Sequence, residues 1–355
     1  MQKHSPLGNS RLYCPIQTYK GELFYSLVDY RNSRFTSENH DKIIEFYDSF
    51  KNRDDLIEWM KERPKGVANI HEVDGEKEII VVIPTADFNG KYAKECRENI
   101  FKGLHIIFVE SGGRGDFYFN IAHNVNIGVK KALEYNPKWI VSSNDDIYRI
   151  DPAEILVRNL RKLDNSKIDL PLIQDGKGRL NVNYRGKLNL IGILLLSVLD
   201  HLNDEHLKKM PKNLYEKFII LKNIGEARKI QQYRFGEYFH MGHSRLFCLL
   251  KKNITKYYLS EYFGIFSANL LKKRGKILFD ETFINGNEDQ DLSISLAINN
   301  ERISAVPFQI GSVYGASLGN DRRRILRGIA SDVYMNHKMS KNSIANDLCG
   351  LPLPH

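Results

Sequence analysis

Five consecutive β-branched residues, Ile79-Ile80-Val81-Val82-Ile83, follow Glu78 and end at Pro84-Thr85. A run with no polar alternation predicts a strand buried on both faces. The spacing that follows predicts a helix over 91–101, then a second strand, His105-Ile106-Ile107-Phe108-Val109, closed by Glu110-Ser111-Gly112-Gly113. Asn120 to Asn124 leads into a helix predicted over 125–135 and stopped by Pro137. Trp139-Ile140-Val141 then starts a third strand, which runs out in Ser142-Ser143-Asn144-Asp145-Asp146-Ile147. Strand, helix, strand, helix, strand at this spacing predicts an α/β fold on a doubly wound, mostly parallel sheet flanked by helices. Ligands of such sheets bind beyond the carboxyl ends of the strands. Here those ends are Pro84-Thr85, Glu110-Ser111 and Asn144-Asp145-Asp146.

Around this block the pattern is less regular. Ile43, Ile44, Tyr47 and Phe50 fall on one side of a helix predicted over 41–50, and another is predicted over 54–63, ended by Pro64. Residues 1–75 are read as an N-terminal extension, and 76–186 as the first half of the α/β domain. Within that half, Asp151-Pro152 opens a helix through Ile155, Leu156 and Leu160, and Leu170-Pro171-Leu172-Ile173 is a further strand. Residues 187–256 are helical, basic and aromatic, and are expected as an insertion over the crevice. The domain resumes over 257–318, and 319–355 is a C-terminal tail.

Composition narrows the classes. With 42% hydrophobic and 27% charged residues, the 355-residue chain is globular, which excludes disorder over most of its length. The net charge of +9 is uneven, since 16 Lys or Arg face 5 Glu and no Asp between Glu205 and Lys276. Such a block suits an anionic acceptor or peripheral contact with a membrane surface, and equally a solvated lysine-rich face. Cys14, Cys96, Cys248 and Cys349 form no C-x-x-C pair, which argues against a zinc knuckle or disulfide framework and for a cytoplasmic location. No signal peptide is expected, and the apolar run 188–199 is shorter than the ~20 residues that span a bilayer.

The candidate chemistry is acidic. In extended chain Asn144 and Asp146 would share one face with Asp145 opposite, and crowded oxygen ligands suit Mg²⁺ or Mn²⁺. The same three residues are also ordinary turn composition. A second cluster, Glu288-Asp289-Gln290-Asp291-Leu292, opens a predicted helix, where one carboxylate is accounted for as a cap. Another is free to accept a proton from an attacking hydroxyl. His240 and His243 are spaced to share a helix face, without a third ligand in view. There is no G-x-G-x-x-G after the first strand and no G-K-[ST], which argues against a dinucleotide enzyme or P-loop ATPase.

The order Val82-Ile83-Pro84-Thr85, Asn144-Asp145-Asp146, Phe279-Asp280-Glu281, Glu288-Asp289-Gln290-Asp291-Leu292 resembles family 2 glycosyltransferases of the GT-A fold, over about 78–318. The resemblance implies an inverting hexosyltransferase-type enzyme that takes a nucleotide-diphosphate sugar and a divalent metal. It implies that Pro84, Thr85 and Glu110 border the nucleoside, and that Asn144 and Asp145 shape the diphosphate site. It makes Asp146 the metal ligand and Asp289 the catalytic base, with Glu288 and Asp291 orienting the acceptor or supporting the loop. The acceptor classes open to such an enzyme are a glycan, a lipid or a protein. The chain departs from the family where the second strand ends Glu110-Ser111 and where Val313-Tyr314-Gly315-Ala316-Ser317 lacks a histidine. Arg322, Arg323, Arg324 and Arg327 offer guanidinium groups for a diphosphate, or form a solvated helix face. Two other readings compete. One is a nucleotidyltransferase of similar fold, for which Ala86-Asp87-Phe88-Asn89-Gly90 is a poor phosphate loop. The other is a nucleic-acid binder using Tyr233, Phe235, Tyr238 and Phe239, which leaves both acidic clusters unexplained.

Overall fold

The computed structural model describes residues 30–113, 116, 118–174, 223, 225–227, 229–236, 262–299, 301–313 and 322–341. Its centre is a five-stranded sheet in the order β1-β3-β2-β4-β7. These are β1 (Asn69–Val73), β2 (Glu76–Thr85), β3 (Leu104–Glu110), β4 (Trp139–Ser143) and β7 (Phe263–Ser267). Between β4 and β7 come β5 (Ile147–Arg149) and β6 (Leu170–Gln174). They pair with β9 (Ile310–Ser312) and β8 (Ile303–Pro307) as two small two-stranded sheets.

The apolar run 79–83 is β2, fully buried and parallel to both neighbours. Alternation sends its side chains to two different cores. Ile79, Val81 and Ile83 pack with Ala93, Cys96, Ile100 and Phe101, and with Leu156 and Leu160 of the helix Ala153–Leu160. Ile80 and Val82 pack with Val125, Val129, Ala132 and Leu133 of the helix Ile121–Glu134. Helices therefore cover both faces, as expected. The sheet, however, is mixed rather than parallel throughout, because β1 and β7 run antiparallel to β3 and β4. The difference has a local cause at β1. Asn69-Ile70-His71-Glu72-Val73 alternates exposed and half-buried positions, as an antiparallel edge strand with one wet face does. The chain then crosses over the start of β3, where a Cβ on Gly75 would lie 2.3 Å from the Leu104 carbonyl carbon.

The expected helices are present with shifted ends. Here α1 (His40–Asp48) and α2 (Arg53–Glu62) begin where Asn39 and Asn52 accept from Asp41 N and Asp55 N. The stretch 91–101 is not one α-helix. After α3 (Lys91–Glu95) the turn widens into a π-helix over Cys96–Ile100. Further helices are α4 (Ile121–Glu134), α5 (Ala153–Leu160), α6 (Ala268–Lys273), α7 (Glu288–Ile298) and α8 (Arg322–Lys341).

A third core joins segments far apart in the chain. Phe46, Tyr47, Leu56, Trp59 and Met60 pack with Phe283, Ile284, Leu326, Ile329 and Val333. Tyr47 OH donates to Leu326 O at 2.6 Å, and Arg327 donates to the carbonyls of Phe35 and Ser37. Arg322 is paired with Glu226 and Arg323 with Glu38, so these arginines considered for a diphosphate, like Arg327, have partners within the protein. The described part of the insertion joins this core through Ala227 and Phe235. His240, His243, Tyr238 and Phe239 lie outside the described residues. Among the described residues no helix is long and apolar enough to cross a membrane.

One contact sets how closely α4 lies on the sheet. A Cβ at Gly128 would fall 2.3 Å from Val82 Cγ1 and 3.0 Å from Val109 Cγ2. Gly128→Ala should therefore cost about 1–3 kcal/mol through overpacking, against a helix-propensity gain of about 1 kcal/mol. Urea unfolding measures the balance, and a stabilised variant would show that α4 can shift freely.

Candidate active site at the carboxyl ends of the parallel strands

Because β2, β3 and β4 are parallel, Thr85, Glu110 and Ser143 end at the same edge of the sheet. The β2–β4 ladder stops at the pair Val82–Ser142, while β2 continues along β3 to Thr85. Pro84 lies in that overhang, where no partner on β4 needs an N–H. It is buried in the strand beside Val109. Beyond the last ladder pair, Thr85 Oγ1 reaches Asp145 Oδ2 at 2.7 Å. This hydrogen bond spans the gap between the two strand ends.

Residues 144–146 are an irregular link from β4 into β5, so strand alternation does not apply to them. The expected arrangement, with Asn144 and Asp146 on one face, is replaced by three separate environments. Asn144 is half-buried, and its N–H bonds to Tyr262 O at 3.0 Å. Asp145 is turned to Thr85. Asp146 is buried at 5% exposure, and its carbonyl accepts from Val313 N. Burial pushes the Asp145 carboxyl above the usual range, and the adjacent Asp146 charge adds to this, against the Thr85 hydrogen bond. Beneath the link, Cys96 Sγ donates to Asp145 O at 3.5 Å from the first residue of the π-helical turn. Burial raises the Cys96 pKa, so it remains a thiol at neutral pH.

Glu110 has other partners than a ligand. Its Oε1 accepts from Phe88 N and its Oε2 meets His71 Nε2, both at 2.9 Å. The His71 ring stacks on Phe88 with centroids 4.4 Å apart, and the Arg97 guanidinium lies 4.7 Å from the Phe88 centroid. Glu110 thus braces the loop after β2. This is the carboxylate expected to border a nucleoside.

The second acidic cluster divides between two faces of α7. Asp289, Leu292, Ser293 and Leu296 recur at helical spacing and are all buried, with both leucines in the core that holds Ile80 and Val82. Asp289 therefore leads the sheet-facing stripe. Asp291, two residues on, points to the other side. There it accepts from Lys338 Nζ at 2.8 Å. Glu288 is half-buried at the helix start. Of the two roles expected for Asp291, this geometry matches support of the loop.

That loop, 278–287, is stitched to α4 by asparagines. Asn126 accepts from Leu278 N and Phe279 N, and donates to Phe279 O and Glu281 Oε1. Asn120 donates to Glu281 O and Phe283 O, while Asn285 accepts from Ile121 N. His123 Nδ1 meets Glu281 Oε2 at 2.8 Å. His123 projects from the side of α4 away from Val125, Val129 and Ala132, and this pair bolts the loop to the helix. Sequence reasoning passed over these residues. The available signal was two asparagines, poor helix formers, inside one amphipathic helix that a third asparagine caps.

No family model, curated protein or solved structure matches this chain. Among the described residues, no group of three or more His, Cys, Asp or Glu is placed to hold a metal ion.

Glu110 yields a pH test. The Phe88 N–H and then His71 hold its pKa below the ordinary value, against burial. A depressed folded pKa contributes stability above the unfolded value of about 4.3, and that stability is lost as pH falls through the folded pKa. Glu110→Gln should be less stable than wild type at pH 7 and converge on it below about pH 4. Parallel stability curves across that range would show that Glu110 makes no such contribution.

Proposed function

We propose that the chain is an inverting glycosyltransferase of GT-A type, transferring a sugar from a nucleotide-diphosphate donor to an acceptor hydroxyl with a divalent metal. The observation that carries this reading is the Thr85–Asp145 hydrogen bond at the carboxyl ends of the parallel strands. It fixes one of two adjacent carboxylates where sheets of this kind bind nucleotides.

The residues present fit a hard cation. Asp145 and Asp146 supply carboxylate oxygens, and the nearby sulfur, Cys96, is held as a thiol and so is a poor ligand. Mg²⁺ is commonly held by one or two carboxylates plus substrate phosphates, so a third protein ligand is not required. When bound, the metal would offset the charge that builds on the departing diphosphate. Asp146 is the assigned ligand, with Asn144 and Asp145 shaping the site around it. Pro84 and Thr85 border the nucleoside. Asp289 takes the proton of the acceptor hydroxyl as it attacks C1 from the opposite face of the sugar. Its place on the sheet-facing stripe of α7 supports this choice over Asp291. The basic segment 205–276 is proposed to meet an anionic acceptor or a membrane surface.

A panel of UDP-, GDP- and dTDP-sugars with Mn²⁺ or Mg²⁺, assayed for nucleoside diphosphate release, tests the reading. Asp289→Asn should lower turnover by at least about 100-fold, the lower end of what general base catalysis contributes, and Asp146→Ala by at least as much. Only Asp146→Ala should also weaken metal-dependent donor binding. Wild-type turnover in either variant would overturn that residue's role. Pyrophosphate release would point instead to nucleotidyl transfer.

A further inference from the structure

The acidic loop is held on its other side by α8. Ser331 Oγ accepts from Ile284 N at 3.0 Å, and Asn287 Nδ2 donates to Asp332 Oδ1 at 2.8 Å. Asn285 and Asn287 both adopt left-handed backbone, with φ of 53° and 69°, a conformation asparagine tolerates better than most residues. About two turns further along α8, Lys338 Nζ donates to Asp280 Oδ2 and to Asp291 Oδ2, each at 2.8 Å. Tyr334 OH donates to the same Asp280 oxygen, also at 2.8 Å. The three charged side chains are mostly buried, at 22% exposure for Lys338, 26% for Asp280 and 17% for Asp291.

Two carboxylates that touch one nitrogen are close neighbours. In partly dry surroundings they stay ionised together only if a cation lies between them. Two other cations lie nearby. Arg274 bonds to Ser295 Oγ at 3.0 Å, and Lys65 bonds to Glu281 O at 2.8 Å. Lys338 is the one in hydrogen-bond contact with both carboxylates. Asp291 belongs to the first turn of α7, two residues from Asp289. Whatever fixes Asp291 therefore fixes the rotation of that turn about its axis, and with it the direction of Asp289.

We propose that Lys338 is a positioning residue for Asp289. By bridging Asp280 in the loop to Asp291 on the helix, it holds the first turn of α7 in the orientation that points Asp289 toward the sheet. The inference rests on Asp289 being the proton acceptor of the proposed transfer, and it adds the C-terminal helix to the working parts of the site. Removing the ammonium leaves two carboxylates that repel when both are ionised. The turn then rotates away or one carboxylate binds a proton. A geometric error of this kind acts on turnover, because donor binding occurs at the other acidic cluster.

The test compares full-length Lys338→Met, Lys338→Arg and the double variant Asp280→Asn/Lys338→Met, using the best donor of the nucleotide-sugar panel with Mn²⁺. Lys338→Met should lower kcat at least about tenfold, with the donor KM within about twofold, since misplacement near 1 Å costs up to about 100-fold. The loss should deepen as pH rises and both carboxylates ionise. Lys338→Arg, which keeps the charge, should retain more activity. The double variant should recover most of the lost kcat, because it removes the repulsion. Unchanged kcat in Lys338→Met, or no recovery in the double variant, would overturn the proposal. If the wild type transfers no sugar from the panel, the Asp289 reading fails separately. The positioning claim is then decided by amide hydrogen exchange over 288–293, which Lys338→Met should speed at least about tenfold and the double variant restore. Exchange at the wild-type rate in Lys338→Met would refute it. Should Lys338→Met not fold, the double variant and Lys338→Arg carry the same comparison, and loss of protection in both would refute the repulsion argument.

Discussion

Burial of β2 on both faces is the constraint from which the rest follows. A strand whose odd and even residues enter different cores must be central, and it can be central only if a chain pairs along each edge and helices cover each face. Those conditions bring β3 and β4 alongside in parallel, place α3 and α5 on one side, and place α4 on the other. Parallel pairing in turn puts all three polar strand ends at one edge. The site is where it is because Ile79 to Ile83 cannot be solvated.

What the site adds is a difference in strand length. The overhang of β2 past the end of its ladder with β4 separates two chains that would otherwise remain hydrogen-bonded. Thr85 and Asp145 meet across that separation. The opposite wall is built by side chains, not by ladders: asparagines of α4 and polar groups of α8 hold an otherwise irregular acidic loop between them. Asparagine suits this work because one side chain both donates and accepts, and so can satisfy two backbone groups of a loop that has no regular partner.

Strands β2, β3, β4 and β6, the helices that cover the sheet and the two acidic clusters were legible in the sequence because each depends on near neighbours. Two-sided burial writes a continuous apolar run, and apolar residues at helical spacing mark the helices. The antiparallel edge strand at 69–73 was missed because its alternating charges resemble extension sequence. The π-helical turn at Cys96 has no pattern distinct from an α-helix. Side-chain direction was the larger loss. Asp145 was expected opposite Asn144 and Asp146, but the strand ends at Ser143 and alternation ends with it. Glu110 was expected to face a nucleoside, and no local signal ties it to His71, which lies 39 residues earlier. The Lys338 contacts span 58 and 47 residues to Asp280 and Asp291, and no periodicity reports such pairs.

The third core has a bearing on how the molecule forms. Tyr47 and Leu326 are separated by 279 residues, so α1 and α2 leave the ribosome long before their packing partner exists. At 5–20 residues per second that delay is roughly 15–60 seconds. During it Phe46, Leu56, Trp59 and Met60 have no α8 to cover them. The central sheet can assemble in the meantime, whereas the acidic loop, clamped partly by α8, is completed last. Completion of the site is thereby tied to synthesis through residue 341.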